Sequence, residues 1–195
     1  MPTFSADWFS RNIDDWKDLF RQVSWDRRAP KTVVEVGSFE GRSTLWILDH
    51  LLQHPRSRIH CIDLFAPTAH NPDPRQTFVA NLGPRAPKVD IMDGRSFDAL
   101  ARLYTAGVRC DFAYIDGSHY GADVLDDLVM SFKVARVGGL IVCDDYLWSM
   151  EASGREDVLN SPKIAVDAFT TIVRRKIDII PRPSRHQVAF IKTRD

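Results

Sequence analysis

The sequence predicts an α/β fold, a mostly parallel sheet with helices on both faces, and three observations carry that expectation. Short β-branched runs alternate with stretches of helical apolar spacing, the first run stops on glycines that open into a helix, and later runs end in aspartates beside turn residues. Such alternation is the pattern of βαβ units wound around one sheet.

The opening unit spans Lys31 to Leu45, KTVVEVGSFEGRSTL. Val33, Val34 and Val36 suit a strand buried on both faces, and Gly37 and Gly41 permit backbone angles, or a close ligand approach, that other residues resist. The helix that follows points free N–H groups and its positive dipole end at the crevice. A ligand site at the carboxyl end of this strand is therefore expected. Dinucleotide-binding folds use the same place with G-x-G-x-x-G, but this chain has E-x-G-x-x-x-G, with Glu35 two residues before the first glycine. An acid there repels a pyrophosphate and attracts an ammonium or hydroxyl groups. The missing third glycine disfavours the alternative of an NAD-dependent oxidoreductase.

Ahead of that unit, residues from about Ser5 to Val23 place Trp8, Phe9, Ile13, Trp16, Leu19, Phe20 and Val23 on one helical face. This N-terminal helix, within residues 1–25, is expected to pack on the core, to meet a second copy in a homodimer, or to act as a lid. After the glycine turn a helix runs from Ser43 to Gln53, and Arg58 to Phe65 reads as a second strand ending at Asp63. An acid in that place can bind ribose hydroxyls. Five prolines between Ala66 and Pro87 mark a loop-rich insertion around a short helix, Arg75 to Leu82, placed to shape a substrate pocket. Lys88 to Met92 is a third strand, and Asp93-Gly94-Arg95-Ser96 turns into a helix from Phe97 to Ala106.

Cys110 to Asp116 is a fourth strand ending in Asp116-Gly117-Ser118-His119, followed by a helix from Gly121 to Ala135. Val137-Gly138-Gly139 reads as a turn, and Leu140 to Asp145 as a fifth strand ending in a double acid. Two strands joined by a right-handed helical crossover lie side by side and parallel, so Asp116, Asp144 and Asp145 should converge. Three carboxylates in one crevice raise one another's pKa unless a cation neutralises them, and Mg²⁺ with its oxygen ligands suits the task. A helix starting at Pro162 and two strands, Lys176 to Ile180 and Gln187 to Lys192, close the chain; Arg182, Arg185 and His186 fall in the loop between the strands.

Length and composition set the bounds. The 195 residues suit a single domain, and 26 basic against 26 acidic residues leave no net charge, which argues against a nucleic-acid or anionic-membrane surface. No apolar run approaches a membrane span and no secretory signal is evident, so a cytoplasmic protein is expected. Cys61, Cys110 and Cys143 are odd in number and sit in apolar runs, as buried thiols do.

V-x-E-V-G-x-x-x-G-x-S resembles the first motif of the class I S-adenosylmethionine-dependent methyltransferases. D-G-S-H-Y, then V-G-G-x-I-V-x-D-D-Y, resembles the small metal-dependent O-methyltransferases, the group of catechol and macrolide-sugar O-methyltransferases. The resemblance covers about Thr32 to Asp145. It implies a Rossmann-like methyltransferase fold, a seven-stranded sheet with an antiparallel C-terminal strand. It also implies S-adenosylmethionine bound by Glu35, Gly37, Ser38, Gly41, Ser43, Asp63 and Asp116, with Asp93, Gly94 or Ser96 against the adenine. The metal ligands fall on Asp116, Asp144 and Asp145, the third departing from the asparagine of the catechol enzyme. His119, or a metal-bound aspartate such as Asp116, is implied as the base; a histidine's ordinary pKa of about 6.5 allows proton uptake at neutral pH. The implied reaction is methylation of a hydroxyl on a small molecule, a sugar or another natural product. A cofactor-binding partner subunit without transfer activity is the alternative.

Overall fold

The structure is a computed structural model that describes residues 1–181 and 186–195. Five strands come first, β1 (Thr32–Val36), β2 (Arg58–Asp63), β3 (Val89–Asp93), β4 (Cys110–Ile115) and β5 (Ala135–Cys143). Six α-helices punctuate the described residues: α1 (Ile13–Gln22), α2 (Arg42–His50), α3 (Pro74–Leu82), α4 (Ser96–Thr105), α5 (Gly121–Val134) and α6 (Pro162–Ile172). The pair β6 (Ile177–Ile180) and β7 (Val188–Lys192) ends the fold. The strands form one seven-stranded sheet in the order β3-β2-β1-β4-β5-β7-β6, in which β7 runs antiparallel to both neighbours and every other pairing is parallel.

Register decides where the chemistry sits. Val36 pairs with Ile62 on one side and Ile115 on the other, and Ile115 pairs with Cys143. Gly37, Asp116 and Asp144 therefore leave the sheet along one edge, beside Asp63, the last residue of β2. This is where strand order reverses between β1 and β4, the crevice in which open α/β sheets hold ligands.

Each face of the sheet has its own core. Val33, Ile59, Phe112, Tyr114 and Val142 face α1, α2 and α3, whereas Val34, Val36, Ile62, Ala113, Ile115 and Ile141 face α4, α5 and α6. The apolar stripe of α1 is consumed inside this chain: Trp16 is fully buried, its ring edge-on to Tyr114 at 4.8 Å and to Phe112 at 5.6 Å. That stripe is not free for a second copy. The helix is also shorter than the spacing predicts, because residues up to Phe9 are not helical and a 3-10 turn over Ser10–Asn12 leads into it. All three cysteines are buried and unbridged. No helix among the described residues is long and apolar enough to cross a membrane. Arg182 and Arg185 lie outside the described residues; the carbonyl of His186 accepts from the N–H of Tyr146 at 2.8 Å.

The glycines before Leu140 correct the expected turn. Ala135 to Cys143 is one strand, and the pairing with β4 slips between Cys110 and Phe112. Gly138 takes φ +83, and a Cβ on Gly139 would stand 2.8 Å from the carbonyl oxygen of Arg136. The pair makes an irregularity inside a strand rather than a turn before one.

Asp127, on the inner face of α5, is buried with Oδ1 facing no donor. Burial pushes its carboxyl up to about 6, a rise held back by the Ser96 hydroxyl. The folded pKa thus lies above the unfolded value of about 3.9, so the charge weakens the fold at neutral pH and the penalty fades as pH falls through 6 toward 4. Asp127→Asn is expected to stabilise the protein by roughly 2 kcal/mol at neutral pH and by nothing near pH 4. Thermal unfolding at the two pH values checks this.

Candidate active site

The glycine turn follows from local geometry. Gly37 has φ +86, and a Cβ on it would lie 1.9 Å from the carbonyl oxygen of Asp116. Only glycine lets the turn after β1 touch the turn after β4. Gly41 also has φ +86 and stands at the start of α2, where no side chain caps the first helical turn. The N–H groups there remain available to a ligand.

Glu35 is placed differently from the sequence expectation. It is fully buried beneath the turn, accepting from Ser38 Oγ at 3.1 Å, from Ser43 Oγ at 2.6 Å and from Thr44 Oγ1. Burial pushes its carboxyl up, and the hydroxyls oppose the rise. Glu35, Ser38 and Ser43 therefore tie β1 to α2, and their side chains do not reach the crevice.

Asp63 does stand at the edge. Its Oδ2 accepts from the N–H of Phe39 at 2.8 Å and its Oδ1 from that of Phe65 at 2.6 Å, so it fixes the glycine turn as well. Asp93 is exposed and paired with Arg75 at 2.8 Å, and the N–H of Gly94 bonds to the Asp63 carbonyl at 2.9 Å. Ser96 faces Asp127. The proline-rich insertion closes on this turn: Asn71 Nδ2 donates to Glu40 Oε1 at 2.6 Å, and Ser5 Oγ donates to the same oxygen at 2.6 Å. Trp8 stacks on Phe39 with ring centres 5.0 Å apart. The N-terminal segment thus runs over the turn before it enters α1.

The predicted convergence of acids is present, with a different innermost set. Asp116, His119 and Asp145 each offer a ligand atom within 4.8 Å of the others. His119 Nε2 lies 2.7 Å from Asp145 Oδ2, its ring 4.1 Å from that of Trp148. Asp144 turns away: its Oδ2 accepts from Asn12 Nδ2 at 3.0 Å, Gln187 Nε2 at 2.7 Å and Tyr114 Oη at 2.5 Å, and its Oδ1 from the N–H of Asp145 at 2.8 Å. Tyr114 Oη is also 2.9 Å from Asp116 Oδ2. Burial, then the charges of Asp144 and Asp145, push the Asp116 carboxyl well up; burial raises Asp144 against its donors. Arg11 reaches in to Asp145 Oδ1 at 3.1 Å.

Sequence reasoning missed Arg11, Asn12, Tyr114, Trp148 and Gln187. Tyr114 alone carried a signal, standing two residues before Asp116 and so on the same face of β4.

The sequence model of the methyltransferase domain matches residues 34–146, more than half of the chain. The chain belongs to this methyltransferase family. Among curated proteins, none matches it in sequence. Solved structures share its fold at low identity. The O-methyltransferase TomG from Streptomyces achromogenes, involved in tomaymycin synthesis and solved with SAM, is 17% identical at a TM-score of 0.68, covering 94% of this chain and 86% of its own. The O-methyltransferase from Bacillus cereus, in complex with SAH, is 15% identical at 0.66, covering 98% and 84%. MycE from the mycinamycin biosynthetic pathway, in complex with Mg, SAH and mycinamycin VI, is 18% identical at 0.65; the match covers 97% of this chain and 51% of MycE. The methyltransferase thus spans about half the length of MycE. At these identities the likeness is one of fold.

Proposed function

We propose that this methyltransferase moves the methyl group of S-adenosylmethionine to a hydroxyl of a small molecule, a sugar or another natural product, beside a bound divalent cation such as Mg²⁺. The observation that carries this reading is the convergence of Asp116, His119 and Asp145 next to the glycine turn, on one sheet edge. Family membership sets the nicotinamide alternative aside.

The residues fit both groups. Asp63 spends two of its roughly four lone-pair positions on backbone N–H groups, leaving the rest for ribose hydroxyls. The uncapped first turn of α2 suits a carboxylate, as on the amino acid end of the cofactor. Asp93, Gly94 or Ser96 would lie against the adenine. S-adenosylmethionine supplies an electrophilic methyl group on a sulfonium centre.

Asp116 and Asp145 would hold the cation, with Asp144 as a buried charge behind them. The raised carboxyls fit a site short of positive charge. A cation there would fix the acceptor oxygen and favour loss of its proton. His119 is assigned as base. A carboxylate only accepts hydrogen bonds, so the Asp145 contact requires the proton on Nε2 and leaves the Nδ1 lone pair to take the acceptor's proton. Trp148 walls the imidazole on one side.

Calorimetric titration with S-adenosylmethionine and with NAD, repeated after chelation, tests the cofactor. One-site binding of S-adenosylmethionine alone is expected in both conditions, and methyl transfer to a panel of sugar and natural-product acceptors only with Mg²⁺ present. Transfer that survives chelation would remove the cation from the proposal. NAD binding in preference to S-adenosylmethionine would remove the cofactor.

A further inference from the structure

Asp145 is held in an uncommon backbone conformation. Its φ of +55 lies in the left-handed region, which an aspartate occupies at a cost and keeps only where its surroundings impose it. Its N–H bonds to Asp144 Oδ1 at 2.8 Å, which fixes the peptide plane between the two acids, and its carbonyl accepts from the N–H of Trp148 at 2.8 Å, which holds the chain beyond it. The direction of the Asp145 carboxylate, and so its contact with His119, depends on how Asp144 is oriented.

Asp144 is oriented by the three donors on Oδ2. Tyr114 belongs to β4 and Gln187 leads directly into β7, so both come with the sheet. Asn12 comes from outside the sheet, 132 positions away in sequence. It closes the 3-10 turn that leads into α1, with helical backbone angles, and its buried amide donates to Asp144. Trp16, one turn further on, donates through Nε1 to Gln187 Oε1 at 2.9 Å and so steadies a second of the three donors.

We propose that Asn12 is a positioning residue for the transfer reaction: its amide fixes Asp144, and through Asp144 the left-handed Asp145 that faces His119 and the cation position. The proposal rests on the cation reading given above. Without the amide, Asp144 keeps Tyr114 and Gln187 but loses the donor that comes from outside the sheet, so its carboxylate is held less firmly, the bond from the Asp145 N–H to Oδ1 weakens, and the Asp145 carboxylate shifts from His119.

The test uses Asn12→Leu, which keeps the volume and removes the donor, beside Asn12→Ala, which removes both. Three quantities are measured on the full chain: Mn²⁺ affinity by electron paramagnetic resonance, S-adenosylhomocysteine affinity by calorimetry, and the thermal midpoint. Both variants are expected to weaken Mn²⁺ about tenfold, the order seen when a partner orienting a metal ligand is lost, with S-adenosylhomocysteine affinity unchanged. Both variants should lower the thermal midpoint, because each leaves a buried carboxylate short of a donor. Unchanged Mn²⁺ affinity in Asn12→Leu would overturn the assignment, and so would a parallel loss of both affinities and of stability, the mark of a purely structural residue. Failure of the unsubstituted protein to take up Mn²⁺ would be a different result, which sinks the cation reading and the inference with it.

Discussion

Gly37→Ala is expected to cost the protein more than about 3 kcal/mol of stability and to abolish cofactor binding. The two contributions are separable. A left-handed φ of +86 penalises any residue with a Cβ by about 1–2 kcal/mol. The added methyl group would also stand 1.9 Å from the carbonyl oxygen and 2.4 Å from the carbonyl carbon of Asp116, both backbone atoms that no rotamer change can move. Relief requires parting the turns after β1 and β4. That motion breaks the bond from the Asp116 N–H to the Val36 carbonyl, 2.8 Å long, and carries Asp116 away from the crevice. Gly107→Ala is the control. Its φ of +75 is also unfavourable to alanine, but nothing lies within 4 Å of the added Cβ, so only conformational strain is expected. Thermal midpoints and S-adenosylhomocysteine affinities of the two variants decide the matter. A Gly37→Ala protein no less stable than Gly107→Ala would show that the contact between the two turns is soft.

The carboxyl-terminal edge was legible in the sequence because its logic is one of register. Parallel neighbours joined by helical crossovers align their ends, and the apolar runs of β2, β3, β4 and β5 stopped where an aspartate began, that of β1 at a glycine. Glu35 turns its side chain beneath the glycine turn, a direction that the sequence already held. Alternation along β1 sends Val34 and Val36 to one face of the sheet and Val33 and Glu35 to the other, where Ser43 and Thr44 of the following helix await it. The paired glycines before Leu140 have the composition of a turn, and only pairing with β4 shows that they bend a strand instead. Asn12 and Arg11 left no trace at all. A polar residue beside an amphipathic stripe looks solvated, and its partner lies more than a hundred positions downstream.

His119→Ala is expected to slow methyl transfer by about 10²–10⁴-fold, or roughly 3–5 kcal/mol of barrier, while S-adenosylhomocysteine affinity stays within about twofold. The asymmetry follows from placement. No part of the glycine turn, Asp63 or α2 bonds to His119, whose polar contact is the 2.7 Å approach to Asp145. Loss of the ring would leave a space beside Trp148, bounded by Asp145, of about the size and polarity of free imidazole. Added imidazole should therefore restore part of the rate to His119→Ala, with a pH dependence that follows titration of the added base. A merely structural histidine predicts loss of both binding and rate without rescue. Full activity in His119→Ala would pass the role of base to Asp116, whose carboxyl, pushed well up by burial and by the neighbouring acids, is the other proton acceptor in the crevice.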